Sequence, residues 1–236
     1  MSIVRIRRAL KDDQGVSLAE LIVYSIVSIL LLTMVGGFFA AVAKGTQASA
    51  VADVNTRQMS TAMSTMVQYL HAATTYPVAN QTNPSPAIVS ASATDLTFYA
   101  YVNLQSTAAQ PVEVRYYIDP VTHDLKEQQW SSTCSPTTGY CTFSSTVTKQ
   151  FDLGGPVASP TSDNTPLFTY FSSATTNPLT QIPLNTTTKL IDTANLGNIV
   201  YIGINLEWGS TTPGSGGDGH ASTVVGLLNL GQSGAQ

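Results

Sequence analysis

Residues that could do chemistry are few in this chain and far apart. A nucleophilic enzyme needs a serine or cysteine with a base beside it, and no such pair is evident in the sequence. There is no G-x-S-x-G turn, and the glycine-rich run Pro213–His220 lacks the Lys-Ser/Thr ending of a phosphate-binding loop. The remaining candidate groups are His71, His123, His220, Cys134 and Cys141. We therefore expect no enzymatic activity, no catalytic residue and no cofactor.

The charge of the chain is low and lies mostly at its start. Only 10% of the 236 residues are charged, against roughly 25% in an average soluble domain, and the formal net charge is −4. Residues 1–15 hold four of the ten basic and two of the fourteen acidic residues, so the remainder carries six against twelve and a net charge of −6. Without a basic patch in that remainder, we expect no direct nucleic-acid binding.

An apolar run follows the basic start. Leu21–Ala43 is 23 residues without a charge, which as a helix is about 34 Å long and matches a hydrocarbon core of about 30 Å. It is too long for an ordinary secretory signal, whose apolar stretch has about 7–15 residues. The arginines in front of it favour a cytoplasmic N-terminus and an extracytoplasmic C-terminus. We predict a single-pass protein of the cytoplasmic (inner) membrane, in contact with lipid.

Glu20 is the unusual residue of this segment, because a charge near the start of a spanning helix costs about 2.5 kcal/mol or more unless it is neutralised. It stands five residues after Gly15, in the sequence V-S-L-A-E-L-I-V-Y. This arrangement resembles the type IV pilin superfamily, although that family prefers Phe where this chain has Val16. The resemblance implies that a prepilin peptidase cuts between Gly15 and Val16 and methylates the new amino group of Val16. It also implies a role for Glu20 in assembly, opposite the α-ammonium of a neighbouring subunit.

The two cysteines enclose Ser-Pro-Thr-Thr-Gly-Tyr, a turn-forming sequence. Zinc is disfavoured because only His123 and Asp124 lie near them in sequence, whereas a structural zinc site usually takes four N or S ligands. In an extracytoplasmic domain the spacing favours a disulfide that closes a small loop. We predict a Cys134–Cys141 disulfide and no metal site.

After Lys44 the pattern remains that of a helix as far as Ala73. Apolar residues recur there at 4-3-4-3 spacing, which makes one core-facing stripe: Met59, Met63, Met66, Leu70 and Ala73. Together with the apolar run this predicts one helix of about 58 residues. Gly36 and Gly37, each costing about 1 kcal/mol relative to alanine, predict either local softness or close packing against another membrane helix.

The rest of the chain has the composition of loops and strands. Residues 76–94 are rich in Pro, Asn and Ser and predict a loop, and Asp119–Asp124 predicts a hairpin turn. The predicted strands are Leu96–Leu104, Val112–Asp119, Leu125–Trp130, Ser144–Leu153, Leu167–Phe171, Asn198–Trp208 and Ser222–Leu230. The fold class is therefore α+β, a long N-terminal helix whose second half packs on an antiparallel sheet domain.

The order of these pieces resembles the PilW/PulJ-type minor pilins and pseudopilins. The segments that carry the resemblance are Asp95–Tyr99, Val114–Leu125, Pro166–Phe171, Ile199–Leu206 and Ser222–Asn229. It implies a leader (1–15), a membrane and filament-core half of the helix (16–43), an amphipathic half (44–75) and an extracytoplasmic β-rich domain (76–236).

The function implied by the resemblance is that of a structural subunit of a type IV pilus or type II secretion filament, which initiates assembly or sits near the tip. The implied partners are the prepilin peptidase, the major pilin, other minor pilins and the inner-membrane assembly platform. Two alternatives stay open: a competence pseudopilin that supports DNA uptake, and a single-pass anchored binding or adhesin module.

Overall fold

A computed structural model describes residues 17–77, 84–102, 110–157, 166–172, 179–208 and 219–228. Its elements in chain order are α1 (Leu18–His71), β1 (Ile88–Ala91), β2 (Asp95–Ala100), β3 (Val112–Ile118), β4 (Leu125–Cys134), β5 (Cys141–Phe143), β6 (Lys149–Gly154), β7 (Phe168–Ser172), β8 (Thr180–Gln181), α2 (Thr193–Leu196), β9 (Ile199–Trp208) and β10 (Gly219–Gly226). The predicted α+β class, a long N-terminal helix followed by antiparallel strands, is confirmed. The chain divides into two compact units, Met1–Val51 and Ala52–Gln236.

The long helix α1 has 54 residues and continues through Gly36 and Gly37 without a break. A methyl group added at either glycine would meet nothing within 4 Å, so no contact with the described residues requires glycine there. The two readings of these glycines, softness and close packing against another helix, both remain predictions.

Hydroxyl side chains along α1 bond to their own helix. Each donates a hydrogen bond to the carbonyl three or four residues earlier, over distances of 2.7–3.0 Å. They belong to Ser25, Thr33, Thr46, Ser49, Thr56, Thr61 and Thr65. Their polar atoms therefore have partners whatever surrounds the helix.

Among the described residues, the strands form two antiparallel sheets. The first has the order β1-β2-β3-β4, and β5 and β6 both pair with β4. The second has the order β10-β9-β7-β8. The predicted turn at Asp119–Asp124 joins β3 and β4: the Asp119 carboxylate accepts from the amide of Val121 at 2.8 Å, and its Lys126 partner lies on β4.

The strand predictions hold in the main for β2, β3, β4, β7, β9 and β10, whereas β1, β5 and β8 were not predicted. The predicted loop over residues 76–94 is wrong in part, because Ile88–Ala91 forms β1 against β2. The strand predicted to start at Ser144 starts at Lys149, and the preceding β5 was not predicted. The last strand lies at Gly219–Gly226, three residues earlier than predicted at its start. The strand predicted to reach Leu104 ends at Ala100, since Tyr101 and Val102 lie beyond it, and positions 103–104 lie outside the described residues.

One hydrophobic core joins the second half of α1 to both sheets. The predicted stripe is confirmed, since Met59, Met66, Leu70 and Ala73 are buried and Met63 is partly buried against the same cluster. The first sheet contributes Leu96, Phe98, Val114, Tyr116 and Leu125, and the second contributes Phe168, Tyr170, Ile202, Ile204, Leu206 and Trp208. The methionine stripe therefore packs as core and does not form a separate site.

Gly154, at the end of β6, fits tightly into this core. Its φ of +105° lies in the region that favours glycine, and a methyl group there would come within 2.8 Å of Trp208 Cζ2. The backbone of β6 can thus approach the buried indole only without a side chain.

Candidate functional site

The first turn of α1 has a serine cap. Ser17 Oγ accepts a hydrogen bond from the Glu20 amide at 3.2 Å, and the Ser17 carbonyl accepts one from the Leu21 amide at 3.1 Å. Ser-x-x-Glu before an apolar run is the sequence of a capping box, which fixes where a helix starts. Glu20 therefore lies in the first turn, where the positive end of the helix dipole favours a carboxylate. Ser17 is a residue of this site that the sequence prediction missed, although its spacing to Glu20 was visible.

From Leu21 to Ala43, the surface of α1 is mostly apolar and is not covered by the rest of the described chain. The described side chains from Leu18 to Ala50 are all exposed, and the large apolar ones among them are Leu18, Leu21, Ile22, Val23, Tyr24, Ile26, Val27, Ile29, Leu30, Leu31, Leu32, Met34, Val35, Phe38, Phe39 and Val42. An 18-residue window of this helix has a mean hydropathy of 2.4, and none of it is buried within the chain. By length and composition α1 can cross a membrane.

The predicted site residues fall in different parts of the molecule. Gly15 and Val16, the predicted cleavage and methylation site, lie outside the described residues. Glu20 is in the unit 1–51, and Cys134 and Cys141 are in the unit 52–236. They are therefore two separate features, one at the start of the apolar helix and one in the β-rich unit.

The predicted disulfide between Cys134 and Cys141 is present. The two cysteines are cross-strand partners at the end of the β4–β5 hairpin. The same hairpin carries Phe143, whose ring lies 4.7 Å from that of Tyr99 and 5.1 Å from that of Tyr76, measured between centroids. The disulfide thus stabilises a hairpin that closes an aromatic cluster on the first sheet.

Metal binding finds no support in the described residues, where no group of three or more His, Cys, Asp or Glu could hold an ion. The three histidines lie on separate elements: His71 ends α1, His123 is in the β3–β4 turn and His220 is on β10. His220 Nε2 shares a hydrogen bond with Asn205 Oδ1 on the neighbouring strand. The histidines therefore do not form a common site.

A buried carboxyl group on β4 was missed by the sequence analysis. Glu127 is 1% exposed and its Oε1 accepts a hydrogen bond from Gln129 Nε2 at 2.5 Å. Burial raises the pKa of Glu127, an effect that the hydrogen bond from Gln129 partly offsets. Its cross-strand neighbour Tyr116 is fully buried, and its hydroxyl and the Glu127 carboxylate influence each other's pKa.

Glu127 explains no function by itself. It lies in the core beside Tyr69 and Tyr116, the two tyrosines whose pKa values it raises through its charge, in addition to their burial. A carboxyl in such surroundings favours the protonated form, so it bears on the pH dependence of stability.

No protein-family model matches the chain, and no curated protein matches it. The functional conclusion consequently depends on the residues themselves.

Proposed function

We propose that this protein is a structural subunit of a membrane-derived filament, of the type IV minor pilin or pseudopilin kind. It is cleaved after Gly15, held in the inner membrane by α1 with its β-rich unit outside, and then inserted into a pilus or a type II secretion filament. It does no covalent chemistry and uses no cofactor. The observation that carries the proposal is Glu20, the one charged residue between Leu18 and Ala43, where the helix surface is otherwise mostly apolar and exposed.

The exposed apolar half of α1 requires a cover. Monomeric soluble proteins rarely expose contiguous apolar patches beyond a few hundred Å², and sixteen large apolar side chains between Leu18 and Val42 are exposed. Lipid can cover this surface before assembly, and the equivalent helices of other subunits can cover it afterwards. A filament subunit that leaves the membrane has to exchange its lipid contacts for contacts with the helices of other subunits in this way.

Glu20 can favour the move of the helix from lipid into contact with other subunits. In lipid its carboxylate is costly unless it is neutralised. The α-ammonium of Val16, which exists only after cleavage behind Gly15, supplies a compensating charge when it comes from a neighbouring subunit. Cleavage would therefore both create the partner group and make assembly favourable. The cap from Ser17 to the Glu20 amide, at 3.2 Å, keeps Glu20 in the first turn where such a partner can reach it.

The first test is the mass and N-terminal sequence of the protein purified from membranes of its own host. The expected product begins at Val16 and is heavier by one methyl group. Recovery of an intact residue 1–15 segment from a host with an active prepilin peptidase would contradict the proposal. It would instead favour an anchored binding module.

The second test replaces Glu20 without changing its size. Glu20→Gln should reach the membrane at the wild-type level, yet its crosslinking to neighbouring filament subunits should fall at least tenfold. Asp53→Asn is the matched control, because Asp53 is an exposed carboxylate on the same helix, 2.7 Å from the guanidinium of Arg57. The control should crosslink like the wild type. Equal crosslinking by the Gln variant and the wild type would refute the role of Glu20.

A further inference from the structure

The face of the first sheet that carries Glu113 has side chains from β2, β3 and β4 in regular rows. Cross-strand pairing places one residue of each strand side by side. The rows are Asp95–Tyr117–Lys126, Thr97–Arg115–Gln128 and Tyr99–Glu113–Trp130. Charged and aromatic side chains thus alternate across a small area.

Arg115 shows how a cation is held on this face. Its Nε lies 3.1 and 2.9 Å from the two carboxylate oxygens of Asp95, and its Nη2 also contacts this carboxylate. The Arg115 guanidinium carbon is 4.6 Å from the centre of the Tyr117 ring. A carboxylate and an aromatic ring together therefore bind one guanidinium, by charge-assisted hydrogen bonds and by a cation–π contact.

Glu113 also combines a carboxylate with neighbouring aromatic residues, but among the described residues no cation is bound to it. Its cross-strand partners are Tyr99 on one side and Trp130 on the other. Within the described ranges its carboxylate takes part in no hydrogen bond and no ion pair. Glu113 is half-buried, and burial is the cause that raises its pKa.

The cations of the same face are already engaged. Arg115 is held by Asp95, and Lys126 pairs with Asp119 at 2.5 Å. Tyr99, on one side of Glu113, is 8% exposed, and its ring centroid lies 4.5 Å from that of Tyr76. The position of the Tyr99 ring is therefore fixed by packing. Among the described residues of this face, no cation is therefore left to pair with Glu113.

We propose that Glu113, flanked by Tyr99 and Trp130, is a receptor for an arginine side chain of a partner protein. The carboxylate would accept hydrogen bonds from the guanidinium, as Asp95 does from Arg115. The ring of Trp130 would contact the face of the guanidinium, because Tyr99 is 8% exposed and already stacks with Phe143. The site uses only β2, β3 and β4. The proposal for Glu113 can therefore be tested independently of the assembly role of Glu20.

The test titrates the full chain, in detergent micelles, with the peptide acetyl-Gly-Arg-Gly-amide. The chain has two tryptophans, so the indole N–H resonance of Trp130 can report binding while that of Trp208, which is fully buried, serves as the internal reference. We expect a saturable shift of the Trp130 resonance alone. The same peptide with citrulline, which keeps the shape but loses the charge, should bind at least tenfold more weakly.

Variants separate the carboxylate from general charge effects. Glu113→Gln should weaken binding of the arginine peptide at least tenfold. Glu207→Gln, which removes one negative charge from β9 of the other sheet, should stay within twofold of the wild type. Binding of Glu113→Gln within twofold of the wild type, equal binding of the citrulline peptide, or no saturable shift in the wild type would each overturn the proposal.

The fold of the variant can be checked in the same spectra. Glu113→Gln removes a half-buried charge without changing shape, so its urea midpoint at pH 7 should equal or exceed that of the wild type. Should the Trp208 resonance reveal misfolding, Glu113→Asp decides instead, because it keeps the charge but withdraws it by one methylene. An affinity loss of less than twofold in that variant would then overturn the proposal.

Discussion

The two halves of α1 share one continuous backbone and differ in what covers them. From Leu18 to Val42 the large apolar side chains are exposed, whereas in the second half Met59 is 6% exposed and Met66 and Leu70 are 0% exposed. The first half is apolar on all sides, and the second half is apolar along one stripe. A stripe can be covered by the chain's own sheets, but a helix apolar all round must be covered by lipid or by other helices. The same secondary structure thus serves two different surroundings.

The largest effect that tests this difference comes from the same substitution in each half. Leu70→Ala should lower the free energy of unfolding of the β-rich unit by about 2–5 kcal/mol, because it leaves a cavity among fully buried side chains. Urea unfolding of the full chain in detergent measures this, since Trp130 and Trp208 both lie in that unit.

Leu31→Ala is the control for that comparison. Leu31 is 58% exposed on the first half of the helix, so the unfolding curve reported by the tryptophans should coincide with that of the wild type. A loss of more than about 1 kcal/mol in this control would mean that the first half contributes to the core of the other unit.

Glycine substitutions give the next largest contrast. Gly154→Ala should destabilise the β-rich unit by about 1–3 kcal/mol, because φ is +105° and the new methyl group would meet the Trp208 ring. Gly36→Ala has open space around it and should instead stabilise α1 by up to about 1 kcal/mol. The first is read from urea unfolding and the second from amide hydrogen exchange of α1 in micelles. Destabilisation by both substitutions would contradict the contrast.

The smallest expected effect is the pH dependence of stability due to Glu127, whose carboxyl group is buried in the core. Its folded pKa is raised, so the folded state binds the proton more tightly than the unfolded state. Glu127 therefore favours folding most below its unfolded pKa of about 4.3, and this contribution is lost as the pH rises through the folded pKa. The Glu127→Gln variant has no ionisable group at this position. It should unfold with nearly the wild-type free energy at pH 4 and be more stable than the wild type by on the order of 1 kcal/mol at pH 8.

Urea unfolding at both pH values measures the difference between variant and wild type, which cancels the titration of the other carboxylates. A difference that is the same at pH 4 and pH 8 would show that Glu127 has an ordinary pKa. A variant that is less stable at pH 8 would show that its charge is compensated in the folded state.

Sequence predicted the helix and the long strands well because their signals are local. Leu21–Ala43 has no charge and the stripe from Met59 to Ala73 has helical spacing, so α1 is visible without tertiary information. The four residues of β1 sit in a segment rich in Pro and Ser, and their strand character comes from pairing with β2. The division into two sheets is likewise non-local, because β6 pairs with β4 past β5, and β9 pairs with β7 past β8 and α2.

Of the carboxyl residues Glu20, Glu127 and Glu113, only Glu20 could be predicted from the sequence. Glu20 stands out as the one charge in an apolar run. Glu127 does not, because Leu-Lys-Glu-Gln-Gln-Trp carries polar residues on both faces of β4, and only the packing of α1 shows that the face with Glu127 and Gln129 is buried. The pairing that places Glu113 between Tyr99 and Trp130 is a property of the register of three strands, which no single segment encodes.

The hydroxyl groups of α1 have one more consequence. Since Ser25, Thr33 and Thr46 already donate to carbonyls of their own helix, they need neither water nor a neighbouring protein to satisfy them. Moving this helix from one medium to another need break none of those three bonds, so these three hydroxyl groups lose no hydrogen-bond partner in the transfer. The cost of moving the helix therefore falls on its charged groups, Glu20 above all, and not on these three side chains.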